Sequence, residues 1–295
     1  MVFAWQGWRL EMPAGWSPVR LEGTYDEGYA LVADLQRPRF GLRWKAAGTR
    51  LDAAAWTRKT LIAEVGFLAA GEAVDGSVAS TVDWQAGRLY IEPKPPGRDV
   101  WVALSPVSRR TVEFVYHAHR RDRILVQRLL PKLVDQPAGV MEWSVFDLSC
   151  RSPVGLQLIG QRLNAGDLSL TFGDGKKIEV TARQIALARL ALKRQTLQDW
   201  LAGQIDLRRK HYRAAGAVET DPAAGMLRQG SRRRLRSRWR WWIAPGFVTL
   251  ARHDPGRDRL VVIDATSELL AMQMLQSMAW AGAAALEPSK TTDQR

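Results

Sequence analysis

Two stretches in opposite halves of the chain open in the same way, and that duplication limits the possible folds more than any other feature. The first is Trp8-Arg-Leu-Glu-Met-Pro-Ala-Gly-Trp16 and the second is Phe146-Asp-Leu-Ser-Cys-Arg-Ser-Pro-Val-Gly-Leu156. Each is a short strand-like run that stops at Pro and Gly, the residues that favour turns. A similar succession of elements follows each opening, so the spacing predicts two tandem repeats.

In the first half, Tyr29 to Asp34 and Arg39 to Trp44 read as two strands around Gln36-Arg-Pro38. Leu51, Ala54, Ala55, Arg58, Leu61, Ile62 and Val65 then recur at helical spacing, with Gly66 as a stop. Strands are expected near Ser80 to Trp84, Arg88 to Glu92, Val100 to Leu104 and Thr111 to His117. An amphipathic helix over Arg121 to Val134 closes the unit, and Pro137-Ala-Gly139 links it to the next.

The second half repeats this order. Val145 to Cys150, Asp167 to Phe172 and Lys177 to Val180 read as strands, the last two joined by the hairpin turn Gly173-Asp-Gly175. A helix is expected from Ala182 to Leu201, continuing towards Tyr212. Strands follow at Leu235 to Ile243, Phe247 to Arg252 and Arg259 to Asp264, and a closing helix at Ser267 to Met278 with Ser267 as its N-cap.

The predicted fold class is therefore α+β: two tandem repeats, each a mostly antiparallel sheet covered by helices. The expected domains are 1–137, 138–286 and a flexible polar tail at 287–295. A length of 295 residues, 46% of them hydrophobic, suffices for two cores.

The opening held by Trp8, Leu10, Pro13, Gly15 and Trp16, taken with the element order, resembles the PsbP-like superfamily. That superfamily groups extrinsic photosystem subunits, Ran-binding Mog proteins, DcrB-type lipoproteins and the Eag chaperones of secretion effectors. The second copy departs from the pattern: Phe146 replaces the first Trp, the Pro moves to Pro153, and Leu156 takes the place of the second Trp. The resemblance implies an α/β/α sandwich acting as a non-enzymatic binding domain. It carries over no functional residue, because members share a scaffold and not a catalytic site.

Charge narrows the candidates for a working surface. The net charge is +13, and residues 208 to 240 hold eleven basic side chains against Glu219 and Asp221 only. A genome rich in G and C explains abundant Arg, but not its clustering. Within Ser231-Arg-Arg-Arg-Leu-Arg-Ser-Arg-Trp-Arg-Trp-Trp-Ile243, a strand places Arg234, Arg236, Arg238, Arg240 and Trp242 on one face, roughly 6.6–6.8 Å apart. Arg208, Arg209 and Lys210 extend the basic set.

Such a face suits single-stranded nucleic acid, with phosphates on the arginines and a base stacked on Trp242. It equally suits a charged edge strand whose arginines pair internally and guard against aggregation.

Other chemistry is thinly represented. His117 and His119 have ligand-like spacing but no third partner, and Arg120 and Arg121 adjoin them. His211 and His253 sit in basic or turn contexts that predict exposure. Cys150 is the single cysteine, which excludes an intrachain disulfide and fits a reducing cytoplasm. No Gly-x-Ser-x-Gly elbow, dinucleotide fingerprint or Walker loop occurs. Most tryptophans, including Trp8, Trp44, Trp84, Trp101 and Trp143, stand where a ring fills a core.

The N-terminus shows no secretory signal, and Leu269 to Leu286, interrupted by Gln273, Gln276, Ser277 and Gly282, reads as a buried helix and not a span. The expectation is a cytoplasmic, non-enzymatic protein without cofactor or metal, whose partner is another protein. A nucleic-acid-binding protein using residues 232–242 is the alternative, and a small-molecule site or enzyme between the repeats is a third.

Overall fold

A computed structural model describes residues 1–65, 84–91, 97–118, 124–175, 177–207, 212–221, 226–233 and 247–278. The chain divides into two compact units, Met1–Asp147 and Leu148–Arg295. It is mostly β, with three antiparallel sheets and four helices among the described residues.

The first unit begins with β1 (Val2–Trp5), β2 (Trp8–Glu11), β3 (Ser17–Gly23), β4 (Glu27–Ala33) and β5 (Pro38–Ala46). Helix α1 (Ala53–Val65), β6 (Gln85–Ile91), β7 (Gly97–Leu104) and β8 (Arg110–Ala118) follow. A π-helical turn (Leu125–Leu129), a 3-10 turn (Leu130–Lys132), β9 (Val134–Asp135) and β10 (Glu142–Val145) complete it. The large sheet has the order β3-β4-β5-β8-β7-β6, and a small one runs β10-β1-β2-β9.

Aromatic rings fill the space between these two sheets. Phe3 meets Phe40 edge-on at 6.4 Å, Trp8 packs on Trp44 at 6.3 Å, and Trp16 stacks on Tyr116 at 6.4 Å. Trp84 lies between Trp8 and Trp101, stacked on one and edge-on to the other. Rings of this size bury large apolar areas and prefer these tilted and T-shaped pairings. Of the tryptophans expected in the core, Trp8, Trp44, Trp101 and Trp143 are buried and Trp84 is half-buried.

The opposite face of the large sheet carries α1, whose Leu61 packs with Trp56 on Tyr90, Val100, Val102 and Val115.

The second unit contains β11 (Leu148–Arg151), β12 (Gln157–Asn164), β13 (Asp167–Asp174), β14 (Lys177–Ala186), α2 (Ala188–Ala191) and α3 (Leu197–Leu207). It continues with β15 (Tyr212–Asp221), β16 (Met226–Arg233), β17 (Phe247–Asp254), β18 (Arg259–Ala265) and α4 (Glu268–Ser277). Its sheet order is β12-β13-β14-β18-β17-β16-β15. Trp200 and Leu201 of α3 pack on Ala251, Leu260 and Val262. Ser267 caps α4, its hydroxyl accepting from the Leu270 amide at 3.3 Å. The predicted turn also holds, with Gly175 at φ +58° beside the pair Asp174↔Lys177.

Four sequence expectations change. The helix expected from Ala182 is strand up to Ala186, because Val180, Ala182 and Gln184 bury one face while Thr181, Arg183 and Ile185 lie on the other, paired throughout to β18. Only after Leu187, at φ +59°, does the chain turn helical, and it is broken again between α2 and α3.

The closing helix expected at Arg121 to Val134 is, where described, a π turn and a 3-10 turn. Pro131, which has no N–H to donate, falls within it. Tyr212 opens a strand and does not end a helix. His253, expected to be exposed, lies inside β17 with Nε2 buried. Strands β3, β12, β15 and β16 add to the expected set.

The strand expected at Leu235 to Ile243, the one expected near Ser80 to Trp84 save for Trp84 itself, the stop at Gly66, and His119, Arg120, Arg121 and His211 lie outside the described residues. So does the tail at 287–295.

Candidate binding surfaces

None of Arg208, Arg209, Lys210, Arg234, Arg236, Arg238, Arg240 and Trp242 falls within the described residues. What is described is the hairpin that joins their two segments. β15 and β16 pair antiparallel with Tyr212 opposite Arg233 and Arg213 opposite Arg232.

The described surfaces with dense functional groups are the sheet halves that the helices leave uncovered. In the first unit, register places Arg20 and Glu22 of β3, Tyr29 of β4, Arg43 of β5 and Glu113 of β8 on the α1 face. α1 covers the β6–β7 side, and the β3–β5 side carries charge.

Arg20 Nε donates to Glu22 at 2.7 Å, Lys45 pairs with Glu27 at 3.2 Å, and Arg43 reaches Glu113 at 3.3 Å and Glu64 of α1 at 3.8 Å. The cationic side chains stay accessible; those of Arg43 and Lys45 are 60% and 73% exposed. Burial raises the Glu113 pKa above the usual carboxylate range. The neighbouring Glu64 carboxylate adds to the rise and Arg43 opposes it.

The second unit has an analogous ladder on its α3 face. Arg183 of β14 donates to both carboxylate oxygens of Asp167, at 2.7 and 2.9 Å, and to Gln204 of α3 at 3.3 Å. Arg162 of edge strand β12 joins Asp167 at 3.2 Å. Thr171 and Thr181 hydrogen-bond across the strands at 3.2 Å; further in, Thr249 donates to Asp264 at 2.7 Å, both of them buried. The Arg183 hydrogen bonds hold the Asp167 pKa low.

A third polar group is internal. Arg110, 1% exposed, pairs with Asp135, which is fully buried. Its guanidinium also donates to Ser108 Oγ at 2.9 Å and to the Gln6 and Tyr25 carbonyls at 2.7 Å each. Trp8 and Tyr25 flank it, with ring centroids 4.4 and 4.0 Å away. Every part of this charge is matched within the first unit, so it serves as a structural clamp between β8, β9 and the β1–β2 turn.

Little else here offers chemistry. Cys150 is buried, and desolvation pushes its thiol up to about 12, away from nucleophilic thiolate. His117 is held below its usual value by burial and by Arg98. No cluster of three or more His, Cys, Asp or Glu able to hold a metal occurs among the described residues. No helix among them is long and apolar enough to cross a membrane.

Sequence reasoning missed both ladders, because Arg43 and Glu113 are 70 positions apart and meet only through the β5–β8 register. No family model matches the chain, and neither the curated proteins nor the solved structures contain a significant match to it.

Proposed function

We propose that the protein is a non-enzymatic binding or adaptor protein that engages another macromolecule, most directly another protein, through the open charged halves of its sheets. The observation that carries this reading is the pair of ladders. In each unit a helix covers one side of the sheet, and the rest of that face holds cations fixed by carboxylates, exposed Arg43 and Lys45 in the first unit and exposed Arg162 beside half-buried Arg183 in the second. Ordered charges of both signs on a rigid sheet can be complementary to a partner's surface, and such complementarity gives specificity.

We also propose that the two units are tandem PsbP-like copies of one scaffold, 1–137 and 138–286. Their strand orders support this, since a three-strand meander is followed in both by the last strand and then the preceding ones in reverse. Gly15 and Gly155 both hold left-handed φ, +82° and +76°, two residues after Pro13 and Pro153. Arg43 and Arg183 each reach a side chain on the covering helix, Glu64 and Gln204.

The test is site-specific photo-crosslinking in the full chain. A crosslinking residue at Arg20, Lys45 or Arg162 should give one discrete adduct, and the purified partner should then bind in isolation. The control position is exposed Leu35, in the β4–β5 turn. No adduct from the ladder positions, or the same adduct from Leu35, would remove the proposal.

A further inference from the structure

Two acids meet one base where α1 seats on its sheet. Glu64, in the last turn of α1, and Glu113 of β8 both reach the Arg43 guanidinium, at 3.8 and 3.3 Å. The Glu64 carboxyl also stands within hydrogen-bonding reach of Glu113. The side chains of Glu113 and Glu64 are 11% and 28% exposed, so the two charges are screened far less than a surface pair.

No second cation balances them among the described residues. β7 sets Val102 directly opposite Glu113, and Thr111 and Val115 are its same-face neighbours on β8. Tyr29 of β4 stands beyond Arg43, and Lys45 is paired with Glu27. Arg98 of β7 faces His117 and donates to the Glu64 main-chain carbonyl at 3.1 Å. One guanidinium neutralises one carboxylate; the second acid either shares a proton with the first or meets it as a like charge inside the helix–sheet contact.

The packing itself does not require this pair. In the second unit Arg183 faces Val262 across the strands, as Arg43 faces Glu113, and it donates to Gln204 of the covering helix α3 at 3.3 Å, as Arg43 meets Glu64. Its charge is met by Asp167 of β13. Trp200 and Leu201 still seat α3 on Val262. Two neutral side chains thus stand in one unit where two acids stand in the other.

We propose that Glu64 and Glu113 form a proton-operated latch for the C-terminal turn of α1: a shared proton holds the turn against β5 and β8, and loss of that proton sets the two carboxylates against each other and releases it. The latch lies at the border between the covered and open halves of the sheet, and it does not depend on what the open half binds. Its direction follows from burial and the neighbouring acid, which both favour the protonated form of Glu113 in the docked state. Docking is therefore firm at low pH and weakens as pH rises through the docked pair's titration.

The test is hydrogen exchange of the full chain, corrected for the intrinsic rate at each pH, from below the usual carboxylate range up to neutral pH. Loss of one shared proton makes the opening constant of residues 61–65 rise by up to about tenfold per pH unit until the docked pair has ionised. Helix α3, with Gln204 and Val262, is the control within the same sample and should stay flat. Glu64→Gln, which installs the side chain that the second unit uses, and Glu113→Gln should each abolish the rise in α1 and keep its last turn as protected as in wild type at low pH.

An opening constant in α1 that does not change with pH overturns the proposal. So does an equal rise in α3, which would mark a change of the whole protein, or a rise in α1 that survives in either variant.

Discussion

Separating Arg110 from Asp135 probes the most heavily committed polar contact in the first unit. Both side chains are essentially inaccessible, 1% and 0% exposed, so neither charge can turn to water when the other is removed. Asp135→Asn keeps the shape and strands the guanidinium. Arg110→Met keeps much of the length, strands the carboxylate, and also deprives the Gln6 and Tyr25 carbonyls of their 2.7 Å donors.

Leaving one buried charge unpaired costs about 3–5 kcal/mol. For a unit of this size that corresponds to a fall in melting temperature of about 6–20 °C. The two substitutions should not add, because the second removes the charge stranded by the first. A coupling energy of about 2–3 kcal/mol is expected from the double-mutant cycle. Urea unfolding followed by the fluorescence of the packed tryptophans measures all four proteins. Single substitutions costing under about 1 kcal/mol, or costs that simply add, would refute the claim that the pair is dry and mutually dependent.

Three further outcomes are expected. Ser267→Ala removes the hydroxyl that accepts from the Leu270 amide and should destabilise the second unit by about 1 kcal/mol in urea melts. For Glu113, the folded pKa lies above the usual 4.5 through burial and Glu64. Its contribution is therefore present at low pH and is lost as pH rises through the folded value. Glu113→Gln should accordingly gain stability relative to wild type as pH is raised from below the usual carboxylate value to above it, as read from urea midpoints at each pH. Cys150, buried with its thiol raised to about 12, should resist maleimide in native protein at neutral pH and react fully in denaturant.

The parts of the fold legible in the sequence are those where one face is buried and the pattern says so. β13 alternates Leu168, Leu170 and Phe172 against Asp167, Ser169 and Thr171, and Ser267 announces the start of α4. Edge strands β3 and β12 were not legible, since most of their residues are exposed or half-buried and no alternation marks them.

The far half of β14 was misleading for a different reason. Ala182-Arg183-Gln184-Ile185-Ala186 has helical propensity, but pairing with β18 outweighs that local preference. β15, written Tyr-Arg-Ala-Ala-Gly-Ala-Val-Glu-Thr-Asp, is poor in the β-branched and aromatic residues that signal a strand.

The working surfaces depend on register even more than the fold does. Nothing near Arg43 in the sequence points to Glu113, nothing near Arg213 points to Arg232, and Arg110 with Asp135 looks like surface charge until both are found buried. The clustering of basic residues was visible from the sequence. That the register sets Arg213 opposite Arg232 was not.

Hydrogen exchange of the purified protein, alone and saturated with the partner recovered by crosslinking, tests most directly whether the open sheet halves are the binding surface. Slowed exchange on binding should concentrate in β3–β5 or β12–β14, the strands that carry the ladders, with α1 and α3 unchanged. Protection confined to other segments, with those strands exchanging as in the free protein, would contradict it.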